Sequence, residues 1–321
     1  VVRDIVNRKP TAVFPISASI IGSGGILGAL SILWLLGYID VAVFFSKGAL
    51  LLGGDRNVFG TSFERLGSLI GGGPSNAGLY MGSGIIMFIG LLLSKSVPKL
   101  HVAFFFCLAA IGAYASFLTL SRSVILLLTI SFFIIFLATN TRTFVKLLLL
   151  PILAVSVFEI IIGDSFADIS IYDSMKNTTF IYASAMPNTL TEIIFGTGLN
   201  AASGGLLGRD TGGALPIDGG WALLFAMVGC IGFFPLIIFL LMAAVRLKNL
   251  MSYEIQTKET TLGVFAGATA AGLLLGSVHM AVIMRPAIDI VFYVLTASMI
   301  SISYHNVPAP LADGDNFHKD E

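Results

Sequence analysis

The chain has 321 residues, of which 56% are hydrophobic and 11% charged, with a formal net charge of zero. A soluble domain carries about 25% charged residues, so this composition excludes an ordinary soluble globular protein. The balanced charge gives no sign of a nucleic-acid partner.

The chain opens on a short basic stretch, Val1 to Pro10, followed by an apolar run over 11–37. That run is too long for the core of a signal peptide and no small-residue cleavage site follows, so it reads as a true span. Apolar runs near or above 18 residues recur along the chain. Each matches the roughly 30 Å hydrocarbon layer at about 1.5 Å per helical residue. The runs are continuous and do not alternate every second residue, which favours helices over barrel strands. The pattern predicts an all-α, polytopic transmembrane bundle of eight spans, at about 11–37, 76–94, 100–120, 123–140, 143–163, 220–245, 261–282 and 286–304. Gly24 and Gly28 form a small-xxx-small pair in the first span, the signature of close helix packing. Cys107 and Cys230 both fall inside apolar runs and read as small hydrophobes, with no disulfide framework and no metal-ligand cluster.

Lys and Arg set the expected orientation. With the N-terminus inside, 11 of the 18 basic residues fall on cytoplasmic segments and 7 outside, the inner ones crowding short loops. Both termini are then cytoplasmic. Segments 38–75 and 164–219 are long external ones, and 306–321 is a polar, disordered cytoplasmic tail. The 164–219 segment is expected to fold over the outer mouth, with an amphipathic helix over 177–194 on the membrane surface.

Two outer cations sit between spans with almost no loop: Arg122 in Leu-Ser-Arg-Ser and Arg285 in Met-Arg-Pro. Arg at the centre of a membrane helix costs about 2.5–3.5 kcal/mol, and less near the interface. Two readings stand for Arg122: an anion site at the rim of the bundle, or snorkelling to lipid phosphates. Asp289 and His279 are expected to pair near Arg285 and hold the last hairpin together.

Three stretches carry a further signal. The first is Arg65-Leu-Gly-Ser-Leu-Ile-Gly-Gly-Gly-Pro-Ser-Asn-Ala-Gly78, running straight into a span. The second is Leu120-Ser-Arg-Ser-Val, opening another. The third is Phe195-Gly-Thr-Gly-Leu-Asn200 and, after a Gly-rich loop, Asp218-Gly-Gly-Trp-Ala. In this order and spacing they resemble the bacterial O-antigen ligase and polysaccharide polymerase family of integral membrane proteins. The resemblance covers about 56–235. Family members usually have ten or more spans, which places some four spans ahead of Val1.

The resemblance implies a chemistry. Such enzymes take a glycan from undecaprenyl pyrophosphate at the periplasmic face of the inner membrane. They pass it to a hydroxyl of a lipid A-core or of another lipid-linked glycan, with no cofactor, nucleotide sugar or metal. Arg65 and Arg122 match family arginines, and their planar forks suit a departing pyrophosphate. Lys176 stands about twenty residues before Gly196, where the family usually has Arg, and supplies charge without the fork. Asp218 and Gly219 stand where the ligases place a His-Asn-type pair. Both departures weaken the ligase reading and favour a polymerase or an unassigned relative. Asp218 suits either a base for the acceptor hydroxyl or the N-cap of the helix beginning near Gly220. Arg209 and Arg285 are further candidates, Arg209 standing in a Gly-rich stretch that reads more readily as a mobile loop than as a site. The rival functions are a secondary transporter or flippase, expected to show broken helices about a central site, and a non-catalytic partner in envelope assembly.

Overall fold

The computed structural model describes residues 2–39, 55–58, 61–64, 66, 69–70, 74–95, 99–119, 121–138, 189–196, 220–252, 257–276 and 286–306. These form nine helices: α1 (Val2–Arg8), α2 (Val13–Leu35), α3 (Pro74–Leu93), α4 (Lys99–Leu118), α5 (Arg122–Ala138), α6 (Leu190–Phe195), α7 (Gly220–Ser252), α8 (Lys258–Gly276) and α9 (Pro286–Asn306). A 3-10 turn, Pro10–Ala12, joins α1 to α2. Five helices are long and apolar enough to cross a membrane: Pro10–Leu35, Ser75–Leu93, His101–Leu118, Met227–Met251 and Ile288–His305. The chain is a multi-pass membrane protein. Seven of the eight expected spans coincide with helices, while 143–163 lies outside the described residues.

The expected all-α bundle stands, with one short hairpin beside the helices: Asp55–Val58 (β1) pairs antiparallel with Thr61–Glu64 (β2), Asp55 opposite Glu64 and Val58 opposite Thr61. Only two residues, Phe59 and Gly60, separate the strands in sequence. The opening basic stretch forms a helix, α1. The helix expected over 177–194 does not run through Thr189. That residue is extended (φ −114, ψ 152), and its hydroxyl accepts from Glu192 N at 3.2 Å while Glu192 accepts from Thr189 N at 3.3 Å. This reciprocal cap starts a new helix at Leu190.

The centre of the bundle is the least greasy helix. α8 carries Gly263, Ala266, Gly267, Ala268, Thr269, Ala270 and Gly272, all buried, between α3, α5 and α9. Small side chains let neighbouring backbones approach where lipid gives no hydrophobic drive for helix association. Thr269 donates to Phe265 O at 2.7 Å, and Ser131 of α5 donates to Ala268 O at 3.0 Å. At the other extreme, only 11% of the apolar window of α7 is buried, against 67% for α3. Ile231, Phe234, Ile238, Leu241 and Val245 therefore face outward, as lipid contacts do. α2 lies along α4, its Gly25 and Gly28 against Leu108 and Ala115.

Contacts between helix ends fix the sense of the bundle. At one end His305 Nε2 of α9 lies 2.5 Å from Asn7 O of α1, and the Arg246 guanidinium of α7 lies 4.0 Å from the Tyr304 ring centre. The first and last described helices thus meet at this end. At the opposite end, α3 and α5 begin and α4 finishes: Ser116 donates to Gly78 O at 3.0 Å, and Leu66 N donates to Leu118 O at 3.0 Å.

Candidate functional site

At the end opposite the meeting of α1 and α9, the described parts of the first two conspicuous stretches come together. α3 starts at Pro74, whose missing N–H and fixed φ suit a first helical position. α5 starts at Arg122. The residue after the first start and the residue before the second are in contact: Ser121 Oγ donates to Ser75 Oγ at 2.9 Å, across 46 positions of sequence. Two helix N-termini therefore open side by side, each presenting the positive end of its dipole. Buried hydroxyls crowd below them, from Ser116, Thr119 and Ser123. The first N–H groups of a helix have no intrahelical partner, so two adjacent helix starts favour negative charge.

Asn76 is the anomaly of this end. It is 1% exposed, and among the described residues neither its Oδ1 nor its Nδ2 has a hydrogen-bond partner. As the third residue of α3 it could reach back to cap the helix, yet it does not. A buried unsatisfied polar atom costs about 1–3 kcal/mol, and Asn76 has two. Ser31 Oγ of α2 is also buried without a partner. Gly24 faces Met81 and Gly84 faces Ile21, so the antiparallel register of α2 and α3 brings Ser31 level with Pro74.

Of the third stretch, residues 195–196 and 220–222 are described, and Gly196 meets α7 by backbone contact. α6 packs on α7 through Gly196 and Gly229, both at positive φ (+79 and +59). A Cβ on Gly196 would lie 2.1 Å from Met227 O, and one on Gly229 would lie 2.4 Å from Gly196 N. Gly229 (φ 59, ψ −168) breaks the helical path of α7, a conformation essentially confined to glycine. α7 finishes beside Tyr304 at the termini-bearing end, so the α6 contact lies toward the opposite one.

Of the site residues expected from sequence, Arg122 occupies the first position of α5, at the meeting of helix starts. Arg65, Lys176, Arg209, Asp218 and Arg285 lie outside the described residues, as does His279. Leu66, the chain neighbour of Arg65, is fully buried and held to Leu118 O. Asp289, in the first turn of α9, is half-buried. Sequence reasoning passed over Asn76, Ser75 and Ser121 as functional groups. The available signal was a polar pair, Ser75-Asn76, at the mouth of an otherwise apolar helix. Among the described residues no group of three or more His, Cys, Asp or Glu could hold a metal ion. Compared with models of known protein families, with characterised proteins and with solved structures, the chain matches none.

Proposed function

We propose that this protein transfers or polymerises glycans carried on undecaprenyl pyrophosphate at the periplasmic face of a bacterial inner membrane, and that it is polymerase-like more than ligase-like. The observation that carries this reading is the Ser75–Ser121 contact, which joins the starts of the two helices whose motifs resemble the O-antigen ligase and polymerase family. The proposed topology has eight spans, both termini cytoplasmic and 164–219 as a large external segment. The meeting of α1 with the end of α9 supports termini on one side.

In this reading the acceptor hydroxyl oxygen attacks the anomeric carbon of the donor sugar as the bond to the pyrophosphate oxygen breaks. The proton passes to Asp218, and undecaprenyl pyrophosphate leaves with the electron pair. Arg65 and Arg122 hold the pyrophosphate by bidentate donation, assisted by Lys176 and by the N–H groups of the α3 and α5 starts. Arg209 and Arg285 are further cationic groups for the same anion. The chemistry calls on no cofactor or metal.

The test is genetic complementation. In a strain lacking the gene, lipid-linked single repeats or unattached polymers should accumulate. The wild-type chain should clear them, whereas Arg122→Lys should fail despite keeping charge, and Asp218→Asn, which still caps a helix, should fail with normal protein levels. Full complementation by both substitutions removes the assignment. The break in α7 at Gly229 favours a second reading, a transporter or flippase, because broken membrane helices build transport sites. That reading predicts lipid-linked glycan trapped on the cytoplasmic side in the deletion strain, where transfer predicts it outside.

A further inference from the structure

Asn76 has no partner among the described residues, and the kind of partner it lacks can be specified. Both its donor (Nδ2) and its acceptor (Oδ1) are buried and unpaired. A phosphate oxygen only accepts, so it would satisfy Nδ2 and repel Oδ1. A Lys or Arg only donates, and would satisfy Oδ1 alone. The missing group must present a donor and an acceptor side by side, as two neighbouring hydroxyls of a sugar do.

Position agrees with this. By helical spacing Asn76 shares a face of α3 with Ser83, Met87 and Gly90. Met87 and Gly90 touch α8, through Thr269 (3.7 Å from the Met87 sulfur) and Phe265. α8 stops at Gly276, and the last carbonyls of a helix end are themselves unpaired acceptors. Asn76 therefore stands beside the anion-favouring starts of α3 and α5, but on a different face from the Ser75–Ser121 contact. Ser31 Oγ, also unpartnered, is level with the same turn.

We propose that Asn76, at the mouth of α3, forms a sugar subsite that reads a pair of adjacent hydroxyls on the first sugar of a lipid-linked glycan. The inference rests on the glycan-transfer reading above and adds a residue that discriminates the sugar from the pyrophosphate. Asn76 binds the donor; it takes no part in bond making.

The experiment uses the full chain purified in detergent. The probes are a short-chain polyprenyl pyrophosphate and the same lipid carrying one hexose, one N-acetylhexosamine or one deoxyhexose. Binding and thermal unfolding are compared for wild type, Asn76→Leu and Asn76→Ala. The wild type should bind at least one glycosylated lipid more tightly than the bare lipid. Asn76→Leu should bind the bare lipid as wild type does but lose about 10- to 100-fold on the glycosylated one, the worth of two hydrogen bonds. Without lipid, Asn76→Leu should unfold at the wild-type temperature or above it, because an unsatisfied amide has been removed. Equal binding of bare and glycosylated lipids by the wild type, or equal binding of the glycosylated lipid by wild type and Asn76→Leu, overturns the subsite alone. Lower unfolding temperatures for both Asn76 variants also overturn it, by showing that the amide holds the protein or a trapped water. If the wild type binds neither kind of lipid, the glycan-transfer reading fails and the subsite fails with it.

Discussion

Replacing Gly196 by alanine strikes the contact that holds α6 to α7. The added Cβ would lie 2.1 Å from Met227 O and 2.7 Å from Gly229 N, both backbone atoms that cannot rotate away. At φ +79, ψ 171 a side chain adds strain of about 1–3 kcal/mol. Overpacking adds about 1–3 kcal/mol more. The total, about 2–6 kcal/mol, exceeds what a six-residue helix on one face of α7 is expected to hold, so α6 should undock before the bundle suffers. Gly229→Ala attacks the same contact from the other side, its Cβ 2.5 Å from Ile194 O. The two substitutions share one interface, and the double variant should cost clearly less than the sum of the singles. Hydrogen exchange in nanodiscs reads this directly. Amides of 190–196 should lose protection in either single variant, while those of α8 keep theirs. Unchanged protection of 190–196 in Gly196→Ala, or fully additive costs in the double variant, refutes the docking argument.

Two further outcomes follow from packing and topology. Gly25→Ala places a Cβ 2.7 Å from Leu108 O and 2.9 Å from Leu108 Cα, and should destabilise the α2–α4 pair by about 1–3 kcal/mol. Gly22→Ala, with nothing within 4 Å, should be neutral or gain up to about 1 kcal/mol from helix propensity; thermal unfolding in one detergent compares the two. For the proposed orientation, cysteines introduced at Ser203 and Ser252 should label from opposite sides with an impermeant thiol reagent, Ser203→Cys from outside. Labelling of Ser252→Cys alone from outside reverses the topology.

The bundle was legible because the span signal is written in composition. Apolar runs such as Pro74–Leu93 and Pro286–Asn306 are bounded by prolines that mark helix starts, and the structure begins helices at both. The interior order was not legible. α8 is flanked by Lys258 and Glu259 and is poor in large apolar residues, yet it is the most enclosed helix. In lipid a buried helix can use small side chains and an exposed helix needs greasy ones, so the most apolar span, in α7, is the least buried. The β1–β2 hairpin was hidden because eight strand residues in a polar segment give too short a pattern to read. The break at Gly229 was equally hidden, since an isolated glycine in an apolar run reads as packing. At the site, sequence pointed to cations, and Arg122 does open α5. Asn76 stood within the Arg65–Gly78 stretch as part of a motif and was given no role of its own; its burial without partners among the described residues is what singles it out.

The central claim is that the helix starts at Ser75 and Ser121 receive the pyrophosphate of a lipid-linked glycan. Photocrosslinking of the membrane-embedded chain with a polyprenyl pyrophosphate analogue, its photoreactive group beside the phosphates, followed by mapping of the modified peptides, addresses this most directly. The account predicts label on peptides around Ser75 and Ser121, displaced by undecaprenyl pyrophosphate and reduced in Arg122→Lys. Label confined to the end that carries Asn7 and His305, or label that undecaprenyl pyrophosphate does not displace, contradicts it.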